Sequence, residues 1–447
     1  MTFTAGAMDA KAGPARAAAP SARSTRSVGR LARLGRIGVP LSIWLPLTIF
    51  ALTRLYGFVV IALAAHQQVA LPSADHPGIY QFTAHPASPG YLGLITNWDG
   101  QWYERIATLG YHLPGPGDPG AADTLWTFAF LPVFPTVIGA MMTVTGLSFA
   151  VCVTVVNLVA GGAAMVVMFA LVERTAGRFA AGAVVLFTCC FVAAPLFQSA
   201  YSESISLLLV CSALLLIAQR RYPWAVAVVL LLSLTRLVTP PLAIVVIVHA
   251  VVRYRGSVNR ANRANRALDP VRRSEAVWLT VLAVVCAASV SLWSTIASAI
   301  TGGVSAPGAH RGSVSNAFGV ARFGWFTNAY EHIGWIGVLA LMLLTVLLVV
   351  LAVSPLTRTW GVEVRTWFAI YPIFLLFVAG VHTGMLRYLL LAFPLALLMI
   401  GSPKPDTVPR KRAALVLTVC AISLALQIPW VSHALVVTRL AGKPWLP

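Results

Sequence analysis

The sequence predicts an all-α, polytopic membrane protein, and three observations carry that prediction. The chain has 447 residues, of which 58% are hydrophobic. Only 10% are charged, whereas a soluble domain has about 25% charged residues. Many apolar runs approach or exceed the ~20 residues that a membrane-spanning helix needs. Because each backbone polar group in a bilayer must be paired within the protein, these runs favour helices.

The formal net charge is +19, a balance also found in proteins that bind nucleic acids. Here the basic residues lie between the apolar runs, where an excess of Lys and Arg marks cytoplasmic loops. We therefore expect the lipid bilayer as a partner and no nucleic acid. All six cysteines lie inside apolar runs, without a CxxC or Cys/His metal spacing, so disulfides are not indicated.

In chain order, residues 1–37 are rich in Ala, Ser and Arg, which predicts a disordered basic cytoplasmic tail. A transmembrane domain is expected over 38–432, followed by a C-terminal tail over 433–447. The first apolar run, about 39–65, is too long for the core of a signal peptide and is read as the first helix. A long polar segment, 66–127, separates it from the other runs. Those runs lie near 128–146, 149–172, 179–198, 204–218, 223–237, 239–252, 276–300, 333–353, 367–381, 387–402 and 413–432.

The charges of the loops orient these runs. If the N-terminus lies inside and 128–146 enters the outer face without crossing, the N-terminal tail and inner loops hold 24 of the 32 Lys and Arg residues. The Arg-rich loop 253–275 then stays in the cytoplasm. A complete crossing by 128–146 would export that loop, against the positive-inside rule. We therefore predict eleven crossings and one re-entrant or interfacial segment, which the prolines at 132 and 135 suit.

This topology collects the unusual polar residues on the outer face, independently of the charge count of the loops. They are Asp99, Glu104, Tyr201, Glu203, Arg236, His310, Arg311, Arg322, His382 and Arg387. A charge within a membrane span is costly, so such residues usually have a function. The convergence predicts an extracytoplasmic site, whereas Arg54 in the first run is expected to snorkel to the headgroups.

One polar and aromatic stretch, Asn97–Tyr111, interrupts the apolar sequence and reads NWDGQWYERIATLGY. Thr96 or Asn97 can cap a helix that begins near Trp98. Asp99 then lies in the first turn, where it is either a carboxylate that stabilises the helix dipole or a general base beside aromatic rings. Glu104 is expected to be a solvated partner of an arginine such as Arg105.

This stretch resembles the WDxxxYxxIAxxGY signature of the PIG-V-like mannosyltransferases, integral-membrane enzymes of the GT-C superfamily. Similar segments follow in the expected order: FAFLPVFP at 128–135, SAYSES at 199–204, LTR at 234–236 and, more loosely, LRYLLLAFP at 386–394. The resemblance covers roughly residues 45–400 and excludes the N-terminal tail and the 253–275 insert. Gly100 and Gln101 stand where family members often have other residues, which leaves the choice of acceptor open.

The resemblance implies transfer of a sugar, mannose, from a polyprenyl-phosphate donor on the extracytoplasmic face of the plasma membrane. It implies Asp99 as the base. The acceptor stays open among a glycolipid, a polysaccharide and a protein, and a glycolipid or glycan hydroxyl is the expected partner. Arginines suit a leaving phosphate, and tyrosine and carboxylate groups suit sugar hydroxyls. The candidate substrate contacts are Tyr103, Tyr201, Glu203, Arg236, His382 and Arg387. No metal motif is evident, so neither a metal nor another cofactor is expected.

Three alternatives bear on this interpretation. Inversion by a single displacement is expected, because a covalent route needs a second carboxylate ~5–5.5 Å away and only Glu203 is available. A transporter or flippase of a lipid-linked glycan would also be polytopic, but no internal repeat is visible and the polar residues gather at one face instead of the midplane. A structural or assembly protein would not need an external acid–aromatic stretch.

Overall fold

The structure is a computed structural model that describes residues 40–73, 81–115, 121–261, 271–303, 323–379, 381, 384–401 and 410–439. The predicted tail 1–37 lies outside these ranges, as do His310, Arg311, Arg322 and His382. The structure therefore says nothing of those residues. The described residues from Ser42 onward belong to one compact unit, Ser42–Pro447.

Within the described ranges the chain is almost wholly helical, and its one β-pairing is an isolated bridge between Leu71 and His85. The α-helices are α1 Leu41–Ala64, α2 Gly90–Leu94, α3 Asp99–Leu109, α4 Ala121–Trp126, α5 Val133–Thr145, α6 Phe149–Ala176, α7 Arg178–Cys190, α8 Glu203–Ala218, α9 Tyr222–Ser233, α10 Pro240–Ala261, α11 Arg273–Ala288, α12 Leu292–Thr301, α13 Gly324–Ile333, α14 Trp335–Val353, α15 Val362–Val378, α16 Met385–Tyr388 and α17 Arg410–Trp430. Short 3₁₀ turns connect several of them, and a π-helical turn, Val431–Leu435, follows α17.

Among the described residues, five helical segments are long and apolar enough to cross a membrane. They are Leu41–Gln67, Phe149–Ala176, Arg273–Thr301, Trp335–Val353 and Arg410–Leu435. The segments Asp123–Ala129 and Val133–Thr145 pass the same test as a pair that is bent by 110°, which is compatible with the re-entrant segment predicted at 128–146. The all-α, polytopic class is confirmed, whereas the number of crossings stays a prediction.

Two of the predicted crossings are not single regular helices. The run 179–198 forms α7 and then a 3₁₀ turn, Ala194–Gln198, with Pro195 near its start. The run 387–402 forms only the end of α16 and then 3₁₀ turns that include Pro394. Each proline lies in the first turn of its 3₁₀ segment, where its missing amide hydrogen breaks no helical hydrogen bond.

Two polar side chains from neighbouring helices cap the broken end of α7. Arg54 donates hydrogen bonds to the carbonyl oxygens of Cys189, at 2.8 Å, and of Ala194. Gln427 donates to the carbonyl oxygens of Cys190 and Phe191 at 3.0 and 2.9 Å. The expectation that Arg54 snorkels to the headgroups is therefore wrong. It is buried, because the last carbonyls of a helix that ends among apolar helices need donors from within the protein.

Side chains of α1 pack against two glycines of α6. A Cβ atom on Gly161 would lie 2.6 Å from Cζ of Phe50, and one on Gly162 would lie 3.2 Å from Cδ2 of Leu47. The glycines therefore leave room for these side chains. The main buried core extends from this contact through α7, α8, α9, α10 and α15.

Candidate active site

The loop before α3 holds the start of that helix against the end of the chain. Asn97 Nδ2 donates to Gln68 Oε1 at 2.6 Å and to the carbonyl oxygen of Leu435 at 2.9 Å. Trp98 Nε1 donates to the same carbonyl at 3.1 Å. The cap predicted for Thr96 or Asn97 is wrong, since the N-cap is Trp98 and its side chain makes no capping bond. The helix begins one residue later than expected, at Asp99.

The backbone of Trp98 is strained at this point, with φ 61° and ψ −114°. A non-glycine residue with positive φ is uncommon, and such conformations cost about 1–3 kcal/mol when the surroundings impose them. The two side-chain bonds to Leu435 impose this conformation. They fix the direction in which the first turn of α3, with Asp99, leaves the loop.

The segment SAYSES lies directly against the first turn of α3. The backbone N–H of Ala200 donates to the carbonyl oxygen of Ile95 at 2.8 Å. A Cβ atom on Gly100 would lie 2.9 Å from Cβ of Ala200, so a glycine is required for this close approach. Asn157 of α6 supports the segment from the other side, with Nδ2 donating to the carbonyl oxygen of Ser199 at 2.5 Å.

Two ion pairs join four helix ends into a single group, which we call the charge cluster: Asp99, Glu203, Arg236 and Arg387. Arg387 Nη1 lies 2.5 Å from Asp99 Oδ2, and Arg236 Nη1 lies 2.7 Å from Glu203 Oε1. Arg387 Nε is 4.0 Å from that same glutamate oxygen, which links the two pairs. Asp99 is the most accessible member, with its side chain 30% exposed, and Glu203 is the least, at 2%.

Tyrosine rings surround the arginines of the charge cluster. The ring of Tyr388 contacts both guanidinium groups, at 4.9 Å from Cζ of Arg236 and 5.2 Å from Cζ of Arg387. The ring of Tyr201 lies 5.4 Å from Cζ of Arg387. Tyr371 Oη donates to the carbonyl oxygen of Tyr388 at 2.9 Å and holds that turn in place. Such cation–π contacts stabilise guanidinium groups that are removed from water.

Three polar atoms in this region are buried without a hydrogen-bond partner: Glu203 Oε2, Arg387 Nε and Tyr201 Oη. An unpaired buried polar group costs about 1–3 kcal/mol, and native proteins rarely retain several together without a reason. The three atoms belong to adjoining residues at one end of the helix bundle. They are therefore candidates for contacts with a polar ligand.

Of the predicted site residues, the structure brings together Asp99, Tyr201, Glu203, Arg236 and Arg387. Tyr103 follows Asp99 by about one turn of α3, and its ring packs edge-on against Phe130 and Phe134 at 5.1 and 4.8 Å. Burial is the main cause that raises the pKa of Tyr103, so its phenol stays protonated at neutral pH. His382 lies outside the described ranges.

The sequence reasoning missed Tyr388 and Tyr371. Tyr388 follows Arg387 directly in the LRYLLLAFP segment, and that position was the available signal. Tyr371 lies inside an apolar run and had no signal, since only the packing of α15 against α16 brings it to the site.

Glu104 and Arg105 also differ from expectation. Arg105 donates to Thr124 Oγ1 at 2.9 Å and lies over the ring of Phe82. In the part of the chain that the structure covers, Glu104 has no ion pair, so the predicted partnership with Arg105 is wrong. Burial raises the pKa of the Glu104 carboxyl, because removal from water disfavours its charged form. The same ranges contain no group of three or more His, Cys, Asp or Glu residues that could hold a metal ion, and metal independence stays a prediction.

Comparisons with known proteins give little beyond this geometry. No family model matches the chain, and no curated protein matches it. Among solved structures, the chain is similar to ArnT from Cupriavidus metallidurans, crystallised with undecaprenyl phosphate bound. The two share 13% sequence identity with a TM-score of 0.46. The match covers 84% of this chain and 63% of that one.

Proposed function

We propose that this protein is a membrane glycosyltransferase that moves a sugar, mannose, from a polyprenyl-phosphate donor to an acceptor hydroxyl. The observation that carries the proposal is the charge cluster. It joins an accessible carboxylate, Asp99, to two arginines, and it lies among helices of membrane type. The order of the sequence motifs adds the resemblance to PIG-V-like mannosyltransferases, because four of those motifs contribute residues to this one site.

In this mechanism Asp99 accepts the proton of the acceptor hydroxyl as the oxygen attacks the anomeric carbon of the donor. The bond from that carbon to the phosphate oxygen breaks, and its electron pair leaves with the polyprenyl phosphate. The new glycosidic bond forms on the opposite face, so the configuration inverts. Atoms and charge balance without an oxidant or a metal.

The arginines would stabilise the leaving phosphate, which is where negative charge develops. Arg387 has an unpartnered Nε and lies closest to Asp99. A phosphate oxygen that binds Arg387 would compete with Asp99 for the guanidinium group. Donor binding would thereby release the Asp99 carboxylate to face the acceptor hydroxyl.

Glu203 is a poor candidate for a covalent nucleophile. Its side chain is 2% exposed and one of its oxygens is held by Arg236. A nucleophile must reach the anomeric carbon, whereas a buried glutamate between two arginines is better suited to positioning them. The geometry therefore favours a single displacement.

The site is proposed to lie on the extracytoplasmic face of the plasma membrane, with the N-terminus in the cytoplasm, since the basic loops then stay inside. Asp118→Cys tests this orientation, because the six native cysteines are buried and should give little background with a thiol reagent. Labelling by an impermeant reagent in intact cells is expected, and labelling only after lysis would reverse the orientation.

The catalytic proposal is tested by Asp99→Asn in membranes supplied with radiolabelled polyprenyl-phosphate mannose. We expect transfer to fall by about 10²–10⁴-fold at equal protein level, since a general base contributes that much. Glu104→Gln, on the same helix but without an ion pair, is the matched control and should retain transfer. Unchanged product in Asp99→Asn would reject Asp99 as the base. A flippase would give no transfer in the wild type either.

A further inference from the structure

Arg387 makes fewer bonds than its position between two acids allows. Its Nη1 lies 2.5 Å from Asp99 Oδ2, and its Nη2 donates to Tyr388 Oη over a long 3.4 Å. Its Nε lies 4.0 Å from Glu203 Oε1, which is too far for a hydrogen bond. Among the described residues, this Nε and Glu203 Oε2 both lack a hydrogen-bond partner. Two side chains with unsatisfied atoms are therefore neighbours, separated by a gap slightly too wide for a bond.

A small displacement of the Arg387 guanidinium group would close this gap. A normal N–H···O hydrogen bond has a donor–acceptor distance of about 2.9 Å, so a movement of ~1 Å toward Glu203 is enough. Cζ of Arg387 lies 5.4 Å from the ring of Tyr201 and 5.2 Å from the ring of Tyr388. Cation–π attraction extends to about 6 Å and does not depend on a single nitrogen atom. A movement of the guanidinium group along these ring surfaces therefore retains the attraction.

The two acids attract Arg387 in different surroundings. Asp99 makes the direct contact, but its side chain is 30% exposed, so water screens its charge. The side chain of Glu203 is 2% exposed, so its charge acts on nearby cations with less screening. Glu203 Oε1 already lies 2.7 Å from Arg236 Nη1, and a carboxylate can accept several hydrogen bonds at once. If Asp99 loses its charge, Glu203 is the remaining acid of the charge cluster that can hold Arg387.

The proposed transfer reaction removes that charge. As the acceptor oxygen forms its bond to the anomeric carbon, its proton passes to Asp99, which becomes neutral. The bond from this carbon to the phosphate oxygen breaks, and its electron pair stays on the phosphate. The phosphate thereby changes from a diester with one negative charge to a monoester with about two. The net charge of the cluster rises by one as that of the phosphate falls by one, so the two changes compensate each other within the site.

We propose that Glu203 is a positioning residue that takes over Arg387 from Asp99. Before the donor binds, Arg387 is paired with Asp99. When the donor phosphate binds, Nε of Arg387 pairs with Glu203 and the two Nη atoms turn to the phosphate, so Asp99 is released to accept the proton of the acceptor. Glu203 Oε2 stays available to a ligand. The catalytic part of this inference rests on the proposed function, whereas the two positions of Arg387 can be tested without any transfer.

Melting temperatures in detergent test the two positions by a double-mutant cycle. Asp99→Asn should lower the melting temperature little, because Arg387 shifts to Glu203, and Glu203→Gln leaves Arg387 on Asp99. The double variant leaves Arg387 without an acid, so its melting temperature should fall by clearly more than the two single decreases combined. The matched control combines Asp99→Asn with Glu363→Gln, which alters the buried partner of His249 and should be additive. Additive decreases for Asp99 and Glu203 would overturn the inference.

A structure of Asp99→Asn is a second measurement that does not need the double variant to fold. Cryo-electron microscopy of this variant without a ligand should show Arg387 Nε within ~3.2 Å of a Glu203 oxygen. A distance that stays at the 4.0 Å of the present structure would overturn the inference.

A kinetic test separates this role from substrate binding. With radiolabelled polyprenyl-phosphate mannose as donor, Glu203→Gln should lower kcat about tenfold or more, because Asp99 stays paired with Arg387. The donor KM should not rise, since Arg236 is still present to bind the phosphate. Glu203→Asp, which keeps the charge, should retain more of the wild-type kcat than Glu203→Gln.

Three other results would change the conclusion. A rise in the donor KM at constant kcat would assign Glu203 to substrate binding and overturn the inference. A lower melting temperature with a normal kcat would give Glu203 a structural role and overturn it as well. A wild type that transfers no mannose would reject the proposed function, and the double-mutant cycle would then still decide whether Arg387 has two positions.

Discussion

Two buried polar groups lie at opposite ends of α9, ~18 Å apart along the helix, and they differ in how completely their atoms are paired. At the far end from the charge cluster, Tyr222 Oη lies 3.1 Å from Nε2 of His249, and Nδ1 of His249 lies 2.5 Å from Glu363 Oε1. We call this the His249 cluster. None of its three side chains has a buried polar atom without a partner, whereas the charge cluster has unpartnered atoms on Glu203 and Arg387.

The difference indicates which of the two clusters stabilises the fold. The His249 cluster connects α9, α10 and the first turn of α15, and its chain of contacts is complete without a ligand. The charge cluster connects α3, α8 and α16 but leaves polar atoms unsatisfied, which costs stability. We therefore expect a ligand to bind at the charge cluster, where it would satisfy the unpaired atoms of Glu203 and Arg387.

The largest expected effect separates the two clusters by activity. Arg387→Gln should lower transfer by about 10²–10³-fold, because the leaving phosphate loses its closest cation. The melting temperature should change little, since the partner Asp99 is partly exposed to solvent. Transfer of radiolabelled mannose per mole of folded protein measures the effect. Arg178→Gln, with a side chain that is 74% exposed, is the control. A large loss of stability with normal specific activity would indicate that the charge cluster has a structural role instead of a catalytic one.

The next effect separates the clusters by stability. Glu363→Ala removes the carboxylate next to His249 Nδ1, and leaving a buried polar group unpaired costs about 1–3 kcal/mol. We expect a clearly lower melting temperature in detergent, with the specific activity of the folded fraction unchanged. Glu173→Ala, which removes an exposed ion pair with Arg178, should leave the melting temperature almost unaltered. A stable Glu363→Ala protein without activity would indicate that the active site lies at the His249 end of α9.

The smallest effect concerns the link between the loop and the end of the chain. Trp98→Phe retains the ring but removes the donor to Leu435, a hydrogen bond worth about 1 kcal/mol. The first turn of α3 should become less well positioned, so kcat should fall several-fold, up to about tenfold, while the donor KM stays unchanged. Steady-state kinetics in membranes measure this division. An increase in KM with constant kcat would indicate that Trp98 binds substrate instead of positioning Asp99.

The sequence singled out residues that lie together in the fold where a residue type was unusual at its position. Asp99, Glu203, Arg236 and Arg387 are rare charges next to apolar runs, and the structure brings all four together. Sequence reasoning failed where a charge had only a structural purpose. Arg54 has the same pattern as Arg236, yet it caps the carbonyls of α7, because whether a buried arginine faces an acid or a helix end depends on the neighbouring helix.

The helical class and the membrane-spanning lengths were determined by the sequence alone, since apolar runs of ~20 residues permit few other structures. From the sequence, the residues of the charge cluster were expected only to lie on the same, outer face of the membrane. The tertiary structure decided the pairing of Asp99 with Arg387, the contacts of Tyr388 with two guanidinium groups and the contact of Gly100 with Ala200. These features join residues that are about 100 to 290 positions apart or depend on how broken helices turn. A local sequence pattern does not predict contacts between residues so far apart in the chain, because these contacts form only when distant segments pack together.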